Sequence, residues 1–308
     1  MKQRTITALF LIAILVPLVL IDHVIAEYGF IIIGVFLSTF GTYELINMME
    51  KESNSLKIFK IIVPVFSGIL TILACLATKK GNMDIDLLNE YFIYHFYVII
   101  AYILFVAIIL GAIIFVKNTT TKELFGCVAS LTYAGLLFGY VLSIRFLDPI
   151  EINKGIIELN GIKSFSYIYL VVIANDLFAY LIGCKWGKKK LCPDISPKKS
   201  VEGAVAGLVA GTIIGTATLF NANIVNPSGT KEIIIAIVLG VILSIFLSIT
   251  VQVGDLIASK IKRGYQIKDY SNIFPGHGGV LDRFDSLIYA GIWFYIIIQL
   301  FEILSIGF

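Results

Sequence analysis

Apolar residues in this chain neither alternate with polar ones nor keep to a single helical stripe. They fill runs of about twenty positions, long enough to cross a hydrocarbon layer as a helix. Irregular backbone cannot face lipid, because its peptide groups would find no partner, so the runs are read as helices. Nine are predicted, with cores at 5–21, 28–47, 59–77, 95–116, 124–144, 166–183, 203–220, 232–254 and 286–306. Short polar segments join them. No fixed-period repeat or low-complexity tract breaks the pattern, and the one stretch of linker-like composition is NANIVNPSGTK at 221–231. The expected fold is all-α, a polytopic integral membrane protein forming a single integral domain over 1–308. Helices within 1–145 are expected to pack and face lipid, and 166–308 to carry the catalytic helices and loops.

Composition agrees and adds a direction. Of 308 residues 58% are hydrophobic and only 15% charged, against about a quarter charged in soluble proteins, and the mean hydropathy is +0.93. A soluble globular fold is excluded. With the N-terminus in the cytoplasm, 18 of the 24 Lys and Arg residues fall on the cytoplasmic side, most of them in segments 184–202 and 255–285. That bias is the one expected of a membrane protein in this orientation. The net charge of +3 therefore follows from topology and gives no reason to expect a nucleic-acid partner. The first run follows MKQR as a secretory leader would, but no small-residue cleavage site follows Ile21, and the run is read as a retained anchor. Cys75, Cys127, Cys184 and Cys192 lack paired metal-ligand spacing and are read as reduced thiols.

Ionisable groups at membrane depth are costly and usually mark function. In the first half they are few: Glu44 near the cytoplasmic end of the second run, and Arg145 and Asp148 near the outer end of the fifth. Glu44 is read as structural or interfacial, an end-of-helix carboxylate able to reach water. The second half is richer. Asn175 and Asp176 lie roughly 13 Å of helix before the basic run that starts at Lys185. A bare carboxylate there needs a proton, a cation or a donor, and a helix-packing pair with Asn175 is the alternative. In LCPDISPKKSVEGAVAG, Pro193 and Pro197 stop a helix, and Ser196, Lys198, Lys199 and Ser200 precede a glycine-spaced one. Ser200, Glu202 and Gly203 read as a helix N-terminus, which suits an anion.

The segment 251–286 is densest in chemistry. Asp255 lies one turn before Ser259, and Lys260, Lys262 and Arg263 follow closely. Pro275, Gly276, Gly278 and Gly279 bracket His277, and such glycines let backbone N–H groups approach a phosphate. Asp282 and Asp285 stand three apart at the start of the last run and share one helix face, where they repel unless something positive lies between them. Mg²⁺ is the natural counter-ion, since hard oxygen ligands and substrate phosphates form its usual shell. Carboxylates, cations and a glycine-rich turn together meet the needs of chemistry at a polyphosphate.

The string SKIKRGYQIKDYSNIFPGHGGVLDRFD resembles the signature of the phosphatidate cytidylyltransferases, or CDP-diacylglycerol synthases, in register at Ser259, Lys262, Arg263, Lys268, Asp269, Ser271, Pro275, His277, Gly278, Gly279, Asp282, Arg283 and Asp285. The upstream ISPKKSVEG and NDLFAYLIGCKWGKK are also similar to family segments, so the resemblance covers roughly 170–290. Ala258 stands where the family commonly has an acidic residue, and Val201 where it often has an aromatic one. The resemblance implies transfer of CMP from CTP to phosphatidate, giving CDP-diacylglycerol and pyrophosphate, by in-line attack of a phosphatidate oxygen at the α-phosphorus. It implies one or two Mg²⁺ ions held by Asp255, Asp282 and Asp285 with Asp176 near that shell. Lys198, Lys199, Lys262, Arg263, Lys268 and Arg283 would hold the phosphates, and Ser196, Ser200 and Ser259 would contact substrate. His277, Gly278 and Gly279 would shape the turn, with Lys268, Asp269, His277 and Arg283 expected at the reacting phosphates. The expected partners are CTP, phosphatidate and membrane lipids, with a homodimer left open, and the expected home is the plasma membrane with a cytoplasmic active site. Two rivals are a CTP-dependent transferase acting on another lipid or polyprenol phosphate, and a transporter. The second is disfavoured because charge gathers in two loops on one side.

Overall fold

The computed structural model describes residues 12–50, 56–79, 87–116, 119–152, 157–227, 229–276 and 278–306. Among them eight helices are long and apolar enough to cross a membrane. They are α1 (Val24–Glu50), α2 (Phe59–Thr78), α3 (Leu87–Ala112), α4 (Thr121–Phe146), α5 (Gly161–Trp186), α6 (Val201–Asn221), α7 (Thr230–Gly264) and α8 (Leu281–Ile306). The first predicted run lies partly outside the described residues and is helical over 12–20. Large side chains such as Ile61, Ile213 and Ile234 remain exposed on these helices, as a surface solvated by lipid allows. The architecture is the expected polytopic all-α one. To it are added two short antiparallel hairpins in the connections, β1 (Ile150–Ile152) with β2 (Ile157–Leu159) and β3 (Lys190–Cys192) with β4 (Ser196–Ser200).

Two boundaries move in ways that matter. α7 continues to Gly264, whereas hydropathy ends the run at 254 and leaves 255–264 in a loop. The segment DLIASKIKR loses apolar character but contains no Pro or Gly and is rich in helix formers, so the backbone continues past the apolar run. Similarly α8 starts at Leu281, which puts Asp282 in its first turn.

The chain folds as two compact units. Unit one comprises Met1–Leu147 and Ile267–Phe284, and unit two Asp148–Gln266 and Asp285–Phe308. In unit one a buried polar seam joins α1, α2 and α4. α4 opens with a capping box in which the Thr120 hydroxyl accepts from Glu123 N and the Glu123 carboxylate accepts from Thr120 N. Midway it becomes a π-helix over Leu131–Leu137, whose wider turns redirect backbone carbonyls. Ser38 Oγ donates to Ala134 O at 2.7 Å, and Thr42 Oγ1 donates to Ser67 Oγ at 2.7 Å. A buried carbonyl is thereby satisfied.

Unit two is organised by glycines spaced four apart on α6. A Cβ on Gly207 would lie 2.7 Å from Asn175 O, and one on Gly215 2.8 Å from Val171 Cγ2, so α6 meets α5 with backbone close to backbone. This is the small-residue packing that lets helices associate in lipid, where no hydrophobic gain drives them together. Asn175, fully buried, crosses to α7 and donates to Ser248 O at 2.9 Å, and Tyr167 hydrogen-bonds Ser244 at 2.9 Å.

Candidate active site

In unit two, charges from four elements converge at the end of α7. Asp255 forms an ion pair with Lys199 of β4, and Ser259 Oγ, one turn on, donates to Asp255 Oδ1 at 3.4 Å. Another turn on, Lys262 is only 8% exposed. It faces Asp285 of α8, itself 6% exposed, and Asp255 of α7 and Asp176 of α5 both act on Asp285 as like charges. Asp285 Oδ1 also accepts from Ser286 N at 2.7 Å. Three carboxylates and two lysines therefore share one neighbourhood. Buried Asp285 would be costly without the cation beside it.

The β3–β4 hairpin is fixed at this place by its own hydrogen bonds. Glu202, in the first turn of α6, accepts from Lys188 N at 3.0 Å and Lys189 N at 3.2 Å, and Arg263 Nε donates to Ile195 O at 3.3 Å. Ser200 is the N-cap of α6, its hydroxyl accepting from Gly203 N at 3.2 Å. The N-terminus predicted from SVEG is thus present, with Lys199 directly before it and Lys198 exposed. Ser196 opens β4.

In unit one the loop 267–280 is held by two carboxylates. Glu44 is buried, and it accepts from Ser271 Oγ at 2.5 Å, Val280 N at 2.8 Å and Leu281 N at 3.0 Å. Asp282 Oδ2 accepts from Tyr270 N at 2.8 Å and Gly279 N at 2.9 Å. Gly276 and Gly278 have φ of +77° and +83°, conformations that favour glycine, and Phe274 N donates to Gly278 O to close the turn. The successive N–H groups of 279–281, which the sequence aimed at a phosphate, are here directed at protein carboxylates. Lys268, Asp269 and Arg283 are exposed around this loop, and His277 lies outside the described residues.

The model of the cytidylyltransferase family matches residues 2–301. The chain belongs to that family. Relatives named phosphatidate cytidylyltransferase include one from Bacillus subtilis, 30% identical over 98% of this chain and 99% of its own length. Others come from Staphylococcus haemolyticus, 29% identical over 94% and 96%, and Staphylococcus aureus, 28% identical over 94% and 96%.

Within this cytidylyltransferase, unit two brings together Asp176, Lys199, Asp255, Ser259, Lys262 and Asp285, and unit one holds Ser271, Gly278, Gly279 and Asp282. Asn175 and Asp176, adjacent on α5, serve different neighbours. Asn175 points to α7, while Asp176 is exposed on α5 and acts on Asp285. Ala258 is fully buried on α7. Two acidic residues anchor these loops beyond what their local sequence indicates. Glu44 does not reach water, because the loop from Ser271 to Leu281 closes over it. Glu202, which the sequence marks as part of a helix start, also captures Lys188 N and Lys189 N, and an acidic first-turn residue after a basic loop is a signal for such backbone capture.

Proposed function

We propose that this chain catalyses CMP transfer from CTP to phosphatidate, releasing pyrophosphate and CDP-diacylglycerol, at the cytoplasmic face of the plasma membrane. The observation that carries the reading is the meeting of Lys199 and Lys262 with Asp255, Asp285 and Asp176 at the end of a membrane-spanning helix. Such a place lies at the level where a lipid phosphate meets a water-soluble nucleotide.

Both substrates are polyanions, and the phosphatidate oxygen is already an anion near neutral pH, so no strong general base is required. The residues' work is charge neutralisation and alignment. In unit two Lys199 and Lys262 provide buried or half-buried cations, and Lys198 and Arg263 provide exposed ones, with arginine suited to bidentate phosphate contacts. Ser259 and Ser200 present hydroxyls beside them.

Among the described residues no three His, Cys, Asp or Glu side chains are grouped closely enough to cage a metal unaided. Mg²⁺ does not ask for a cage. It takes oxygen ligands and is commonly held through one or two carboxylates completed by substrate phosphates and water. The donor chemistry fits, with Asp255 and Asp285 as ligands and Asp176 beside them. When bound, the ion would neutralise triphosphate charge.

The test is pyrophosphate release from CTP by the purified chain. It should depend on phosphatidate and on Mg²⁺, and diacylglycerol and polyprenyl phosphate should not substitute. Asp255→Asn should lower turnover by about 100-fold or more while leaving thermal unfolding near wild type. Equal release with polyprenyl phosphate would reassign the acceptor, and near-normal Asp255→Asn turnover would remove that carboxylate from the chemistry.

A further inference from the structure

Unit two contains a cavity of about 480 Å³ that the chemistry above does not use. Its wall is carbon, from Ile157 of β2, Val225 after α6, Ala236, Leu243 and Phe246 of α7, and Ile298 of α8. Glu232, in the first turn of α7, is the one ionisable residue among those that line it. The cavity opens among side chains that the fold leaves bare: Ile235 is 58% exposed and Leu239 53%.

Its depth separates it from the reaction. On α7 its lining runs from Glu232 to Phe246, roughly 35 to 14 Å before Asp255 at about 1.5 Å per residue, so in a hydrocarbon layer of about 30 Å it reaches from the far surface to the mid-plane. The cavity therefore belongs to the leaflet opposite the candidate active site, where a reacting lipid phosphate has no access.

Its volume selects the occupant. A helix is about 10 Å across and rises about 5.4 Å per turn, so the space takes roughly one turn and cannot seat a span of a second protein. At roughly 30 Å³ per methylene, about the liquid volume of a water molecule, it takes an extended chain of about sixteen carbons. A volume in this range with an apolar lining is also what ligand pockets have.

We propose that this cavity binds one acyl chain of a bilayer phospholipid from the leaflet opposite the reaction, a resident lipid distinct from the substrate. Native mass spectrometry of the full chain in detergent, with a phosphatidylglycerol carrying a 16-carbon chain as probe, tests it. Wild type should retain one lipid, and the dioctanoyl analogue should bind at least tenfold more weakly. Ala236→Phe, which fills the space, and Leu243→Ser, which makes its wall polar, should each reduce retention at least tenfold with thermal unfolding preserved. Asp255→Asn should retain the lipid like wild type, so a failure of the cytidylyl-transfer reading would leave this result untouched. Wild-type retention in both cavity variants, no retained lipid in wild type, or equal binding of the dioctanoyl analogue would overturn the proposal.

Discussion

Replacing Glu44 with alanine is the sharpest test of how the signature loop is held. The carboxylate accepts from Ser271 Oγ, Val280 N and Leu281 N, and both of those backbone residues are fully buried. Each buried donor left without a partner costs about 1–3 kcal/mol. Two stranded N–H groups therefore cost about 2–6 kcal/mol, while the Ser271 hydroxyl can rotate to another acceptor. Asp282 acts on Glu44 as a like charge, and removing that repulsion returns part of the loss. A net effect of about 3 kcal/mol is on the order of 100-fold in the opening equilibrium of the first turn of α8. The assay is amide hydrogen exchange in detergent, read at 279–281, where protection should fall about 100-fold. Cys75 and Cys127, both fully buried, report on the rest of the unit and should stay unreactive to thiol reagents. CMP transfer should fall with the loss of loop protection, and Glu44→Gln, which keeps volume and one acceptor oxygen, should lie between. Unchanged exchange at 279–281 in Glu44→Ala, with full activity, would show that the carboxylate does not organise the loop.

Two further substitutions probe unit two. Lys262→Met leaves buried Asp285 facing Asp255 and Asp176 without its cation, and should lower stability by about 3–5 kcal/mol in thermal unfolding. Adding Asp285→Asn should restore stability but not activity. Gly207→Val places carbon against Asn175 O, which a Cβ would approach to 2.7 Å. It should destabilise by about 1–3 kcal/mol, whereas Gly111→Ala on α3, with nothing within 4 Å, should be neutral or slightly stabilising in the same measurement.

The spans were legible because a hydrocarbon solvent leaves one local solution, a helix of apolar residues, and that solution is written in consecutive positions. Local signals also sufficed for the Ser200 N-cap and for glycines four apart on α6, since both act within a turn or two. The end of α7 was misplaced for the converse reason. Hydropathy registers where lipid stops, while the backbone stops only at Gly264, and so Asp255, Ser259 and Lys262 occupy successive turns of a rigid helix rather than a loop. Their spacing of three and four residues then becomes informative, because it puts all three on one face, toward Lys199 and Asp285.

Glu44 marks where a single sequence stops being enough. Its partners lie more than 220 positions away in the chain, and nothing local separates a carboxylate that reaches water from one that a distant loop covers. The signal for Glu44 lies in donors, not acids. A loop with two positive-φ glycines leading into an apolar helix leaves a row of N–H groups that cannot pair with one another, and inside a membrane unit they must be met by an acceptor, for which a carboxylate offers two oxygens. Asp282 meets one such N–H from within the loop. The N–H groups of Val280 and Leu281 need a second acceptor, and Glu44 stands near the end of a span in the first half of the chain. Counting unsatisfied donors at the start of α8 turns an apparently interfacial residue into the anchor of the signature.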